Sequence, residues 1–453
     1  MKYVFRALPA LLLIFFLSSA RGQATSAPLT EEQRRTEIQE LHQQLNAIAV
    51  RLSALEAQHP ATATGLPPVP ASPTPQTTPA QDSGITKEDR ETLAFFRGTT
   101  LSFGLDGYYG YNFNVPVGGV NLLRAYDVTS NSFNINQASL IIEHLPTTTQ
   151  RFGGRLDLQY GQATETLQGS SANEQRPQVW RNLFQAYGTY LAPVGSGLQI
   201  DFGKFASSLG NEGNYTKDQI TYSRAYSFNY LPFYHMGFRM NYNVTSKLNV
   251  AYWLVNGAND TEDLNGFKSQ AFLFTIKPSS TLSWNVNYYF GEEGRAFEPN
   301  QSALPTTNIN PVPDGREHIF DTYATWTATP KLTVVGEADY VLNRTQKEQQ
   351  PPRVVLGSLT AKYALPHRWN LGGRFEYFDD RGGLFSGKTQ SLKEGTLSLD
   401  HQFAEGFLAR AEYRRDFSNQ PFFLTDTTGV LVHAQSTATL GLVYWWGMKQ
   451  GSW

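Results

Sequence analysis

The ionisable residues of this chain recur at a spacing of two. Arg155 and Asp157, Glu337 and Asp339, Arg374 and Glu376, and the run Arg410, Glu412, Arg414 and Asp416 all follow it. Asp201, Arg239 and Asp400 sit in the same alternating context. Neighbouring side chains of a strand point to opposite faces, so residues two apart share a face. Charges of both signs gathered on one face can steer and sort charged solutes. Their regular alternation suggests no catalytic set. The histidines (His42, His59, His144, His235, His318, His367, His401 and His433) are scattered and show no triad or metal-pair spacing. The chain has no cysteine, which excludes disulfides and thiolate metal sites. Neither enzyme chemistry, a metal nor a cofactor is expected, and the acidic stretch Asp260-Thr261-Glu262-Asp263 reads as a solvated loop. A second group, Glu212, Lys217, Asp218 and Arg224, lies in a stretch rich in Gly, Asn and Tyr between Ser207 and Leu231. Opposed acids and bases across a narrow passage would create a transverse field and select on size and charge.

The elements that must position these residues are amphipathic strands. From Thr99 to Trp446, segments of about ten residues alternate apolar and polar. About sixteen are expected, beginning near Thr99, Ser132, Arg151, Trp180, Gly197, Tyr234, Lys247, Lys268, Thr281, Glu317, Lys331, Arg353, His367, Thr389, Gly406 and Ala434. The face opposite the charges is apolar: Phe152, Leu156, Leu158 and Tyr160; Leu332, Val334, Ala338 and Tyr340; Leu440, Leu442, Tyr444 and Trp446. Short connections, such as Pro146 to Gln150 and Ala404 to Gly406, alternate with long polar ones, such as Ser207 to Leu231 and Glu292 to Arg316. That asymmetry belongs to barrels that cross an outer membrane, with short turns on the periplasmic side. An even strand count puts both barrel ends on that side. A basic side chain facing hydrocarbon at mid-membrane costs about 2–4 kcal/mol, so the charged face must turn inward. Sixteen strands enclose a lumen too wide for side chains to fill, so the charges are expected to line water. Tyr108, Tyr109, Trp253, Trp445 and Trp446 are expected as interfacial girdles facing lipid headgroups. The fold class is therefore all-β, a transmembrane antiparallel β-barrel.

The segments before the barrel fit that location. Lys2 and Arg6 precede an apolar run from Ala7 to Leu17, and Ser18-Ser19-Ala20 offers a cleavage site, so residues 1–20 read as a secretory signal peptide. The run is too short to span a membrane as a helix. Ile38, Leu41, Leu45, Ile48, Leu52 and Leu55 then form a heptad seam, which predicts a self-associating coiled-coil helix over 30–58 in the periplasm. Thr30 and Gln33 supply its capping box. The mixture of Ile and Leu along the seam fits a homo-oligomer, a trimer included, without fixing the number. Residues 59–92 form a Pro-rich linker, and 93–453 the barrel. At 13% aromatic and 17% charged, with a formal net charge of −2, the chain offers no basic surface for nucleic acid. The expected partners are outer-membrane lipids, small hydrophilic solutes or ions, and, through the coiled coil, the cell wall.

One block carries more than a pattern. Phe202-Gly203-Lys204-Phe205, Gly210, Glu212, Tyr222-Ser223-Arg224, Pro232, His235, Gly237, Arg239 and Asn256-Gly257 through Asp260 resemble the putative β-barrel porin-2 (OmpL-like) family of Gram-negative bacteria. Met236 and Ala258-Asn259-Asp260 depart from the family's usual Thr and Trp-Asp. The resemblance implies an outer-membrane pore for passive diffusion, with no catalysis. Phosphate- or carbohydrate-selective porins, and an adhesin or structural barrel tethered to the cell wall, are the alternatives. The terminal Trp453 fits a barrel-assembly signal but falls out of step with the lipid-facing even positions from Ala438 to Met448.

Overall fold

The computed structural model describes residues 97–168, 174, 176–263, 265–293, 315–344, 350–449 and 451–452, together with residue 86. The signal peptide, the heptad helix, nearly all of the Pro-rich linker and Trp453 lie outside the described residues. Among the described residues no helix is long and apolar enough to cross a membrane.

Sixteen antiparallel strands close into a barrel. They are β1 (Thr99–Asn112), β2 (Ser132–His144), β3 (Phe152–Tyr160), β4 (Leu183–Ala192), β5 (Leu198–Ala206), β6 (Tyr234–Thr245), β7 (Leu248–Val255) and β8 (Ser269–Ser279). Then come β9 (Leu282–Gly291), β10 (Glu317–Thr329), β11 (Leu332–Asn343), β12 (Arg353–Ala364), β13 (Trp369–Arg381), β14 (Gln390–Ala404), β15 (Phe407–Ser418) and β18 (Ala434–Gly447). A separate hairpin, β16 (Phe423–Leu424) and β17 (Leu431–Val432), lies in the connection before β18. The last strand closes on the first, with Ser102 opposite Gly447 and Asn112 opposite Thr437. Closure pairs every strand edge, which hydrocarbon requires because it offers the backbone no hydrogen bonds. Each barrel strand begins within three residues of its expected position.

Strand parity sets the two faces. Phe152, Tyr160, Ala338, Leu440, Leu442, Tyr444 and Trp446 are exposed on the outside, with Leu156, Leu158, Leu332, Val334 and Tyr340 half-exposed beside them. The aromatic girdle is narrower than expected. Tyr109 and Trp446 do face outward, and Trp446 stacks on Phe103 with ring centroids 5.4 Å apart. Trp253 instead points inward, 1% exposed, against Phe205 and His235. Tyr108 is buried inside against Tyr222, and Trp445 packs on that same cluster. The reason is parity: Tyr108 shares its face with Asp106, and residue type cannot override that.

A second correction concerns the inner wall. Towards the long-loop rim the inward positions are also apolar. Phe205, Trp253, Val255, Tyr289, Ile319, Val341, Leu356, Phe378 and Leu392 belong to one buried cluster. It packs against inserted loops, so apolar does not mean lipid-facing at this height.

The C-terminal segment leaves the wall at Gly447, whose φ of +143° ends the strand phase. The Met448 N–H donates to the Leu101 carbonyl at 2.9 Å, and Lys449 Nζ reaches Glu143 at 2.7 Å. Met448 and Lys449 thus no longer continue the strand.

Two glycines bend the strands that carry the longest insertion. Gly203 and Gly237 stand opposite each other on β5 and β6, at φ +139° and +153°. A Cβ on Gly203 would lie 2.2 Å from the Ala186 carbonyl oxygen. Gly203→Val should therefore lower the temperature at which the folded band is lost in unboiled electrophoresis, at a cost of about 1–3 kcal/mol. Gly188→Ala, where a Cβ meets nothing within 4 Å, should leave it unchanged.

Candidate functional site

Residues 207–233, the third long connection, fold into the barrel and bind its wall. His235, behind the kink, fixes where the segment leaves. Its Nδ1 is 2.9 Å from the Gly257 carbonyl, which can only accept, so Nδ1 carries the proton. Nε2 then accepts from the Ser207 hydroxyl at 3.2 Å. Lys204, from the same block, is buried with its ammonium 3.9 Å from the centre of the Tyr234 ring.

The inward charges meet the backbone of this loop. Glu412 accepts from the N–H groups of Tyr222 and Ser223 at 2.5 and 3.0 Å. Glu376 accepts from those of Tyr226 and Ser227 at 2.6 and 2.8 Å, at the start of a one-turn helix (Tyr226–Tyr230). Both carboxylates thereby satisfy N–H groups that a turn or helix start leaves free. The arginines take the carbonyls. Arg410 grips Asp400 through two nitrogens at 2.6 and 2.9 Å and donates to the carbonyls of Thr221 and Gln219 at 2.8 and 2.7 Å. Arg414 pairs with Asp416 at 2.8 Å and donates to the Arg224 carbonyl at 2.5 Å. Arg374 bridges Glu394 on the wall, 2.7 Å away, and Glu212 on the loop, 2.6 Å away.

Tyrosines of the loop complete the seam. Tyr215 donates to Asp157 at 2.6 Å, Tyr222 to Asp106 at 2.7 Å, and Tyr226 to Asp416 at 2.6 Å. Burial, reinforced by the facing carboxylate, pushes each phenol well above its ordinary pKa, so each remains a donor. The first long connection joins them: Arg124 pairs with Asp416 at 2.5 Å, and Tyr126 donates to the Asn214 carbonyl at 2.7 Å.

Expectation and structure part here. The inward charges were expected to line water, yet Arg374, Glu376, Asp400, Arg410, Glu412, Arg414 and Asp416 are all buried. The cause is the loop, which covers this arc of wall with backbone that pairs with them. Arg155 and Arg239 keep some exposure, paired with Asp157 at 2.8 Å and Asp201 at 2.7 Å. Glu337 and Asp339 are buried on β11. The four loop residues also do not face one another across an opening. Arg224 is 1% exposed; it donates to the carbonyls of Gly213, Tyr222 and Asn214 at 3.0, 2.8 and 3.1 Å and lies over Tyr126. Glu212 is held between Arg374 and the Ala225 N–H, 2.7 Å away. Lys217 pairs with Asp218 at 2.8 Å and donates to the Gly451 carbonyl at 2.8 Å. Burial lowers its pKa, and Asp218 opposes that shift. These residues fold and fasten the loop.

Sequence reasoning missed Asp106, Glu143 and Glu394. Glu394 was findable, since Thr396, Ser398 and Asp400 follow it in strict alternation. No sequence signal marked Tyr215, Tyr222 or Tyr226 as loop-to-wall donors.

The opposite arc is different. On β6 to β12, nearer the short-turn rim, the inward side chains Arg239, Asn241, Asn249, Thr275, Asn285, Tyr323, Thr325, Thr333 and Lys362 are half-exposed. On the long-loop side, a cavity of about 550 Å³ is bounded by Arg124, Tyr230, Glu293, Glu317, Asn343 and Phe385, among others.

The family model described as putative beta-barrel porin-2, OmpL-like, matches residues 98–445. The chain belongs to that family. This porin resides in the bacterial outer membrane, and its family comprises channels. No curated protein matches it by sequence. Solved structures similar to this porin include OmpT of Vibrio cholerae in its trimer form, 11% identical at TM-score 0.49, covering 77% of this chain and 99% of that one. The outer membrane channel DcaP of Acinetobacter baumannii is 11% identical at TM-score 0.49, covering 77% and 97%. The anion-selective porin of Comamonas acidovorans is 8% identical at TM-score 0.48, covering 77% and 99%.

Arg374 is the side chain that joins loop and wall most directly. Replacing it with Met would strand two buried carboxylates, Glu212 and Glu394, at a cost of about 3–5 kcal/mol. Arg374→Met porin should unfold at lower urea in detergent and carry noisier current than the wild type.

Proposed function

We propose that this porin passes small hydrophilic solutes or ions through an aqueous path running along the arc of β6 to β12, with the third long loop as the constriction. The observation that carries this reading is the asymmetry of the inner wall. The inward side chains of β13 to β15 are largely buried beneath the loop, while on β6 to β12 those nearer the short-turn rim, such as Arg239, Asn285, Thr325 and Lys362, retain exposure. The loop narrows the lumen by its bulk and backbone, and its own charges are spent on attachment. Selectivity then falls to the half-exposed charges of the open arc, Arg239 and Lys362.

The purified porin in a planar bilayer should give stepwise, ohmic conductance. Absence of steps from correctly folded protein would contradict the pore and favour the adhesin alternative. Lys362→Ala should shift the reversal potential in a salt gradient towards cation selectivity, whereas Lys388→Ala, on the outer loop 382–389, should not.

The heptad pattern of residues 30–58 supports a further reading, of a homo-oligomer held or tethered to the cell wall from the periplasmic side. Deleting it should change the oligomer mass in native mass spectrometry or release the porin from cell-wall fractions. No change in either would refute this role.

A further inference from the structure

Three acids sit together on the inner wall where the loop reaches its far side. Asp321 on β10 is the register partner of Asp339 on β11, and Glu337 lies two residues before Asp339 on the same face. All three are buried, and one carboxylate oxygen from each lies within 4.8 Å of the others. The charges facing Glu337 and Asp339 are themselves negative and include Glu376 and, beside Glu337, Glu212. Arg374, which could have compensated them, is committed to Glu212 and Glu394.

The hydrogen bonding is incomplete in a way that points at a ligand. Asp321 accepts from Asn287 Nδ2 at 2.6 Å, and Glu337 accepts from the Asn211 N–H at 3.3 Å. The hydroxyls of Ser358 and Ser227 stand 3.4 and 3.5 Å from Glu337. No N–H or hydroxyl group of the described residues donates to either oxygen of Asp339, 4% exposed, whose partner is the Asp321 carboxyl, and Asp321 Oδ1 receives no such donor either. A buried carboxyl whose polar neighbours are other carboxyls needs positive charge between them.

We propose that Asp321, Glu337 and Asp339 form a binding site for a hard divalent cation of the calcium class. The donor set is oxygen only, which suits calcium or magnesium and excludes softer metals. Calcium accepts such ligands in flexible geometry, whereas magnesium demands a near-ideal octahedron and keeps several waters. A buried trio of carboxylates suits calcium better. Because Glu337 also holds Asn211 and Ser227 of the inserted loop, the cation ties β10 and β11 to that loop.

The test is calcium titration of the chelator-stripped full chain in detergent by isothermal calorimetry, with folding checked by unboiled electrophoresis. Wild type should bind one calcium per chain. Asp339→Asn and Asp321→Asn should each bind at least about tenfold more weakly, since even a residue behind a ligand is worth that much. Glu262→Gln, in the outer acidic loop, should bind as wild type does. No saturable binding by folded wild type would show instead that the trio is neutralised by shared protons and would overturn the site. Wild-type affinity in either Asn variant, or loss in Glu262→Gln, would overturn it equally.

Discussion

A barrel in a membrane has one face that cannot hold charge, and the rest of this structure follows from that. Hydrocarbon drives most ionisable residues of the sixteen strands to the inner surface. Once inside, they are close together in a partly dry interior, where an unpaired charge is costly. The wall resolves part of this by pairing with itself, as Arg155 does with Asp157 and Arg410 with Asp400. The inserted loop resolves much of the rest. Its N–H groups go to Glu376 and Glu412, its carbonyls to Arg410 and Arg414, and its phenols to Asp106, Asp157 and Asp416. The loop needs the wall for the same reason, because its backbone has left water and must find partners. Wall and loop are therefore one polar core, built inside out.

This explains why the fold was more legible than the site. Period-two alternation is a local property, and the strands near Thr99, Glu317 and Ala434 begin where it begins. Parity also assigned Phe152 and Asp157 to opposite faces. Parity cannot say what stands opposite a face. Arg374 and Glu412 read as water-lining because nothing local announces a loop arriving from β5 to cover them. Trp253 and Tyr108 read as girdle residues because an aromatic near a strand end looks the same whether it meets headgroups or an inner core. Such contacts join residues far apart in sequence, 189 positions for Ser223 with Glu412, and no spacing rule reaches that far.

The family-like block gains a physical meaning. Gly203 and Gly237 bend the two strands from which the loop departs, His235 pins its departure point, and Arg224 folds it from within. Glu212 and Ser223 meet Arg374 and Glu412 on the wall. These residues specify a loop that enters the barrel and stays there. The open arc on β6 to β12 is what the loop leaves behind, and it is lined by amides, hydroxyls and few charges. A passage of that kind discriminates weakly, by size and by the charges of Arg239 and Lys362.

Because the chain contains no cysteine, a single introduced thiol reports its own surroundings. Thr325 is half-exposed on the open arc, and Ser398 is buried under the loop with its hydroxyl 3.1 Å from the Ile220 carbonyl. A charged methanethiosulfonate reagent added during single-channel recording should block current through Thr325→Cys and leave Ser398→Cys unaffected. Block of Ser398→Cys with no effect on Thr325→Cys would place the water path beneath the loop and contradict the account.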